Sequence, residues 1–264
     1  MSEGALARAF RTLAGRRRAA LVTYLTAGYP DRDTSLEAFR AADELADVLE
    51  VGVPFSDPLA DGPTIQRSTF AALANGMTLG RTFELIDRAR FTRPVVVFSY
   101  LNPILRYGTE RFLRDAAALG VAGVLLTDVP AGSDPALEDA LRESPLDLIR
   151  LVAPTTPAGR VREALAGARG FVYLVSRLGV TGASRSVAAD LDESLARVRA
   201  ASALPVAVGF GLSTPAQVAQ VARQAEGVVV GSALVDRLGS EGVAGVRALL
   251  TSLRDALDAT ERPA

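Results

Sequence analysis

Short apolar runs rich in β-branched residues recur along the whole chain, with little polar alternation inside them. Such runs are typical of strands that are buried on both faces, as in a parallel sheet. The pattern predicts eight strands, at residues 20–28, 48–55, 94–101, 122–129, 147–154, 170–177, 205–212 and 227–234.

Segments with a helical spacing of apolar residues lie between these runs. They predict helices at residues 35–46, 64–76, 110–120, 157–168, 191–202 and 213–224, with a short helix starting at Ser232. Gly120 and Gly167 stand where helix C-caps belong, and the segment from residue 213 begins with a Ser/Thr cap and Pro215 in the first turn.

Strand and helix alternate eight times, which predicts a (β/α)8 TIM barrel. A doubly wound open sheet is the alternative, but that fold seldom needs eight strands with such even spacing. We see no linker and no break in composition, so we expect a single domain over residues 1–264. An extra N-terminal helix at residues 3–15 is expected to close the bottom of the barrel.

Composition limits the classes of partner. The net charge of the 264-residue chain is −1, so the sequence shows no electrostatic footprint for nucleic acid or an anionic membrane. No apolar stretch reaches the roughly 18 residues that a membrane-spanning helix needs. The N-terminus does not resemble a secretory signal. We therefore expect a soluble cytoplasmic protein.

The sequence contains no Cys, no His and no Lys. Their absence excludes disulfides, imidazole bases and metal sites built from Cys or His. A Schiff base to a substrate or to pyridoxal phosphate needs a Lys amine and is excluded as well. If the chain is an enzyme, its proton chemistry falls to Asp, Glu and Tyr.

One acid stands inside an otherwise apolar run, VLEVGVPF (48–55). A lone buried carboxylate is costly, so Glu50 is paired, held neutral or used in chemistry. On the strand it shares a face with Val48 and with Gly52, which leaves room beside it. An ion pair with a buried Arg remains an alternative. Asp57 and Asp61 follow in the stiff loop 54–63, where a turn or a helix cap is the alternative role of each.

Glycine-rich segments follow two adjacent strands, VGFGLS (208–213) and VVGSAL (229–234). Barrels frequently bind phosphate at this place, through backbone N–H groups and a helix N-terminus. We therefore expect a phosphate-binding barrel. Segment 176–186 is rich in Gly, Ser and Thr and suits a lid. Tight-turn glycine is the alternative, but it does not explain why the segments fall on consecutive strands at one end.

The segment LEVGVPFSDPLADGPTIQ (49–66) resembles the signature of the tryptophan synthase alpha chain family. Six further blocks resemble that family in the same order: YLTAGYPD (24–31), SYLNPI (99–104), LLTDVP (125–130), YLVSRLGVTG (173–182), GFGLSTPAQV (209–218) and GSALV (231–235).

The resemblance implies a lyase of tryptophan biosynthesis that splits indole-3-glycerol phosphate into indole and glyceraldehyde 3-phosphate. It implies a beta-chain partner in an alpha2beta2 heterotetramer. It also implies that pyridoxal phosphate belongs to that partner, with no cofactor and no metal in this chain.

Residue by residue, the resemblance implies that Glu50 is the general acid/base and that Asp61 accepts a hydrogen bond from the indole N–H. The implied substrate-binding residues are Tyr24, Phe98, Tyr100, Leu125, Tyr173, Thr181, Gly182, Phe210, Gly211, Gly231 and Ser232. The implied partner interface consists of Pro54, Phe55, Ser56, Asp57, Asn102 and Pro103. Tyr24 departs from the Phe that is common in the family, and its hydroxyl must find a partner.

Two other functions stay open from the sequence. A different phosphate-barrel isomerase or lyase would keep the fold and the glycines, but it would not need the loop 54–63. A non-catalytic subunit would only dock on a partner and would need neither Glu50 nor Asp61. Indole release by the isolated chain distinguishes the three.

Overall fold

Eight parallel strands form a closed barrel in the computed structural model, which describes residues 3–176, 185–209 and 211–262, with the backbone alone for 185–190. Each strand pairs with the next along the chain, and β8 pairs with β1. This topology confirms the predicted TIM barrel. The strands are β1 (Ala20–Thr26), β2 (Val48–Gly52), β3 (Val95–Ser99), β4 (Gly123–Leu126), β5 (Asp147–Val152), β6 (Val172–Val175), β7 (Val206–Gly209) and β8 (Gly227–Val230).

Helices surround the barrel, and α1 precedes the first strand. The helices of the described residues are α1 (Ala5–Gly15), α2 (Arg32–Leu45), α3 (Pro63–Ala74), α4 (Leu79–Ala89), α5 (Leu101–Tyr107), α6 (Thr109–Ala118), α7 (Pro135–Glu143), α8 (Ala158–Ala164), α9 (Arg185–Ala201), α10 (Pro215–Ala222) and α11 (Ser232–Asp258). None of these is both long enough and apolar enough to cross a membrane.

The strands end earlier than the sequence predicts. β7 ends at Gly209 and β8 at Val230, whereas the apolar runs continue to residues 212 and 234. Gly211 and Leu212 lie in the loop after β7, and Gly231 separates β8 from α11. α11 begins at Ser232, as predicted. Gly211 and Gly231 therefore lie at the rim of the barrel.

Three helices, α4, α5 and α7, are absent from the sequence-based prediction. The Asn102-Pro103 pair, which belongs to the implied partner interface, lies in the first turn of α5. Pro103 fits there because the first N–H groups of a helix have no helical partner that proline would remove. The predicted cap of α10 is confirmed, since Thr214 and Gln217 form a reciprocal capping box with Pro215 in the first turn.

Two apolar layers hold the barrel together. The inner layer fills the barrel with inward-facing side chains such as Val22, Val48 and Ile149, and α1 adds Leu6 and Phe10 from below. Leu6 is fully buried, with 0 % of its surface exposed. The N-terminal helix therefore closes the bottom of the barrel, as predicted. The outer layer lies between the strands and the surrounding helices.

A buried carboxylate fastens the last helix to the bottom of the barrel. Asp47, just before β2, accepts hydrogen bonds from Arg18 Nη2 at 2.8 Å, from Arg254 Nη1 at 2.7 Å and from the Leu21 N–H at 2.9 Å. Arg254 lies in α11, so this carboxylate joins a strand, a loop and the C-terminal helix. Loss of the Asp47 charge leaves both guanidinium groups with Asp258 alone, a carboxylate that is about half exposed.

We expect Asp47→Asn to lower the free energy of unfolding by about 3 kcal/mol, because it breaks a buried ion pair while leaving its partners in place. Urea unfolding measures the change. The control is Asp33→Asn, whose exposed pair with Arg88 has an N–O distance of 3.7 Å. This control should lose less than about 1 kcal/mol. An equal decrease in the free energy of unfolding for both variants would show that the contacts of Asp47 stabilise the fold no more than an exposed ion pair does.

Candidate active site

A pocket of about 220 Å³ opens at the C-terminal mouth of the barrel. Its walls come from the ends of several strands, the first turn of α3 and the rim after β7 and β8. Active sites of TIM barrels lie at this end. The lining residues are Tyr24, Glu50, Asp61, Gly62, Pro63, Thr64, Ile65, Phe98, Tyr173, Gly211, Val229, Gly231 and Ser232.

Glu50 lies in β2 and points into the pocket with 0 % of its surface exposed. Neither of its carboxyl oxygens has a hydrogen-bond partner among the described residues. The predicted alternative, a pair with a buried Arg, is wrong, because the buried Arg150 pairs with Glu138 at 2.8 Å. Burial raises the pKa of the Glu50 carboxyl to about 8. At neutral pH this group is therefore largely protonated.

Gly52 makes room on the same face of β2, as predicted, and the hydroxyl of Tyr24 fills that room. A Cβ atom at Gly52 would lie 2.2 Å from the Tyr24 hydroxyl oxygen, so any larger residue would collide with it. The hydroxyl finds its partner in Thr26, with 3.4 Å between the two oxygens. Burial raises the pKa of Tyr24 well above its usual value, so this side chain stays neutral.

Asp61 lies in the loop between β2 and α3, where Tyr100 holds it. The Tyr100 hydroxyl donates to Asp61 Oδ2 at 3.0 Å and accepts from the Ala60 N–H at 3.0 Å. Burial raises the pKa of Asp61 to about 6, and the bond from Tyr100 partly opposes this rise. Asp61 is therefore largely ionised at neutral pH and can accept a hydrogen bond from a ligand.

The two aspartates of the loop after β2, Asp57 and Asp61, differ in their surroundings. The N-cap residue of α3 is Gly62, and no side chain caps this helix, so Asp61 is not its cap. Asp57 is exposed and accepts from the Ser56 hydroxyl at 2.6 Å within the loop. Of the two, Asp61 alone lines the pocket.

Aromatic and apolar side chains form one wall of the pocket. The rings of Tyr24 and Phe98 meet edge-on with centroids 5.1 Å apart. Leu125 pairs in register with Phe98, but it is fully buried behind the lining. Tyr173 reaches across the barrel, and a Cβ atom at Gly209 would lie 2.3 Å from its hydroxyl oxygen. This wall suits a flat apolar group.

The rim after β7 and β8 brings Gly211, Gly231 and Ser232 to the pocket, as predicted. Gly211 has a φ of +75°, a conformation that other residues rarely adopt. Because α11 begins at Ser232, the N–H groups of Ser232 and Ala233 have no helical partner and are available to an anion, whereas that of Leu234 donates to the Gly231 carbonyl at 2.9 Å. Three further predicted residues, Thr181, Gly182 and Phe210, lie outside the described residues, as does most of the predicted lid.

Five of the six predicted interface residues line a second depression outside the pocket. Pro54, Phe55 and Ser56 come from the loop after β2, and Asn102 and Pro103 from α5. Asp57, the sixth, is exposed beside them. The Phe55 ring packs on Tyr100 with centroids 5.1 Å apart, so it is partly buried rather than displayed. The apolar side chain that the loop does display is Leu59, which is 90 % exposed.

The sequence analysis missed five pocket residues: Gly62, Pro63, Thr64, Ile65 and Val229. Gly62 is the N-cap of α3, and the next three residues form the first turn of this helix, immediately after Asp61. Their position next to Asp61 was the available signal. Val229 could have been found from strand alternation, because it lies two residues before Gly231 on the inward face of β8.

The chain is similar to known proteins over most of its length. A family model described as "Tryptophan synthase alpha chain" matches residues 10–258. The tryptophan synthase alpha chain of Desulfosudis oleivorans is 46% identical over 246 residues, which cover 90% of this chain and 93% of that one.

Solved structures give the same picture. A chain of Mycobacterium tuberculosis tryptophan synthase has a TM-score of 0.89 with 41% identity, and the match covers 97% of this chain and 99% of that one. Tryptophan synthase subunit alpha from Legionella pneumophila has a TM-score of 0.88 with 33% identity, over 97% of this chain and 99% of that one.

The raised pKa of Glu50 predicts a pH-dependent stability. The folded protein holds a proton on this carboxyl up to about pH 8, whereas an unfolded Glu releases it near its usual value of 4.5. Stability due to this group is therefore complete below about pH 4.5 and is lost as the pH rises toward 8. Glu50→Gln, which cannot ionise, escapes this loss.

We expect Glu50→Gln to be more stable than the wild type by about 2–5 kcal/mol at pH 9, and nearly equal to it at pH 5. Urea unfolding at the two pH values measures the difference. Asp57→Asn, a change at an exposed carboxylate, is the control and should show no such growth with pH. A Glu50→Gln difference that is the same at both pH values would contradict the protonated state of Glu50.

Proposed function

The chain belongs to the tryptophan synthase alpha chain family, and from this premise we propose that its pocket cleaves indole-3-glycerol phosphate into indole and glyceraldehyde 3-phosphate. The observation that carries the proposal is the pair of carboxyl groups in the pocket. Glu50 is buried and has no described partner, whereas Asp61 is held by Tyr100 and remains ionisable. Two carboxyl groups whose surroundings separate their pKa values can take the roles of acid/base and charge stabiliser.

The substrate has three parts, and the pocket offers a matching region for each. The flat indole fits the wall that Tyr24 and Phe98 form. Its N–H would donate to the Asp61 carboxylate. The phosphate fits the rim at Gly211 and Ser232, where backbone N–H groups and the start of α11 favour an anion. The glycerol chain then passes beside Glu50.

The reaction is a retro-aldol cleavage in which the protons balance. Protonated Glu50 donates its proton to indole C3, and the positive charge that develops on the ring is stabilised at the N–H by Asp61. The side-chain hydroxyl then gives its proton to the Glu50 carboxylate. As that oxygen forms the aldehyde, the carbon–carbon bond breaks and its electrons return to the indole. A pKa of about 8 for Glu50 suits both transfers near neutral pH.

We also propose a beta-chain partner, in an alpha2beta2 heterotetramer, that docks on the loop after β2 and on α5. The support is the depression that holds Phe55 and Asn102, together with the exposed Leu59. Pyridoxal phosphate would belong to that partner, since this chain has no Lys to form a Schiff base with it. The cytoplasmic location stays a prediction.

The rival functions differ from this one in what they need from the pocket. A barrel that isomerises or cleaves a sugar phosphate has no use for an apolar aromatic wall beside the carboxyl groups. A subunit that only docks has no use for Glu50, whose burial without a described partner destabilises the fold above neutral pH. Both carboxyl groups and the wall fit the cleavage of an indole substrate.

We expect Glu50→Gln to reduce indole release from indole-3-glycerol phosphate by roughly 10² or more while KM changes little, because the amide keeps the shape and removes the proton transfer. Steady-state assays of the isolated chain measure both constants. The exposed Glu84→Gln variant is the control and should match the wild type. Turnover by Glu50→Gln close to that of the wild type would overturn the mechanism.

The proposed interface makes a separate prediction. Asp57 has no role in bond cleavage, so we expect Asp57→Ala to keep nearly all of the activity of the isolated chain. Its stimulation by an added beta chain should fall, because the loop that carries Asp61 would be ordered less well. Indole release with and without the beta chain measures this, with the exposed Asp87→Ala as control. Equal stimulation of both variants would remove Asp57 from the coupling.

A further inference from the structure

The loop that carries Asp61 is held on two sides. On the β3 side, the Tyr100 hydroxyl binds the Asp61 carboxylate. On the other side, the Gln66 side-chain amide of α3 donates to the backbone carbonyl of Asp61 at 2.9 Å and to that of Pro58 at 3.3 Å. The position of α3 therefore sets the backbone of this loop.

Helix α3 is in turn fastened to β1 by two buried hydroxyl groups. Thr26 Oγ1 and Ser68 Oγ are 2.7 Å apart, and each residue is only 1 % exposed. The Ser68 hydroxyl donates to the Ile65 carbonyl at 2.8 Å. Neither Thr26 nor Ser68 is among the residues that line the pocket, so neither can touch a substrate there.

The direction of these hydrogen bonds follows from the number of protons. A carbonyl only accepts, so the single hydroxyl proton of Ser68 goes to Ile65, and Thr26 must donate to Ser68. The proton of Thr26 is then used, so the Tyr24 hydroxyl donates to Thr26. The result is a one-way chain from the pocket to the first turns of α3. Removing one member leaves its buried neighbour unsatisfied.

We propose that Thr26, Ser68 and Gln66 are positioning residues, which act through α3 to hold Asp61 where the N–H of an indole substrate reaches its carboxylate. The inference rests on the proposed function of Asp61. A displaced Asp61 stabilises the developing ring charge less well, so we expect kcat for indole release to decrease. The phosphate rim is untouched. Ser68→Ala leaves the aromatic wall unchanged, and Thr26→Val removes only the acceptor of the Tyr24 hydroxyl while the ring keeps its contact with Phe98, so KM changes little.

The variants Thr26→Val and Ser68→Ala remove one hydroxyl each. We expect each to lower kcat for indole release by about tenfold with less than about a twofold change in KM. The double variant should lose no more than the worse single one, because both changes break the same link. Thr26→Ser, which keeps the hydroxyl, should restore most of the activity.

Thr23→Val is the matched control. Thr23 lies on the same strand and is equally buried at 1 %, but its hydroxyl has no partner among the described residues. This variant should keep the kcat of the wild type. The inference would be overturned if Thr26→Val kept it as well, or if the losses of the two single variants multiplied in the double variant.

A second measurement needs no substrate. Hydrogen exchange at the amides of Asp61, Gly62 and Gln66 should be faster in Thr26→Val and Ser68→Ala than in the wild type, and unchanged in Thr23→Val. If the wild type releases no indole, the proposed function fails, but the exchange rates still decide whether the link holds the loop. Unchanged exchange in all three variants would overturn the inference.

Discussion

The cost of burying an ionisable carboxyl group without a partner is the constraint on which the rest of the site depends. Glu50 has 0 % of its surface exposed, and no described residue bonds to its oxygens. Glu50 avoids the cost of a buried charge because it keeps its proton, so it enters the reaction as an acid. The stability that is lost when this proton leaves must come from the packed layers around the barrel and from α1 below it.

The second carboxyl group differs because its surroundings differ. Asp61 lies on a loop rather than in a strand, and it receives a hydrogen bond from Tyr100. Burial moves its pKa only to about 6, against about 8 for Glu50. One pocket therefore holds a carboxylic acid and a carboxylate at the same pH. The difference in protonation between the two groups therefore depends on the loop contacts of Asp61 as well as on the burial of Glu50 in its strand.

The sequence was sufficient for the barrel and for Glu50, because parallel strands buried on both faces leave continuous apolar runs and an acid inside one of them stands out. Asp61 lies in a loop, so its place in the pocket was expected only from the resemblance of residues 49–66 to a family signature. The early strand ends could not be read, since the apolar runs continue into the rim. The hydrogen bond between Thr26 and Ser68 could not be predicted from the sequence either. These residues lie 42 positions apart, and each is a common residue type whose contact exists only after the helix has packed.

The protonation state of Glu50 is the central claim, and a pH titration of its side-chain carboxyl carbon by ¹³C NMR tests it most directly. The signal is assigned by its loss in Glu50→Gln. A midpoint near 8 is the result that this account requires, since burial raises the pKa of the group to about 8. A midpoint near the usual value of 4.5 would mean that Glu50 is a carboxylate at neutral pH, and the account of the site would be wrong.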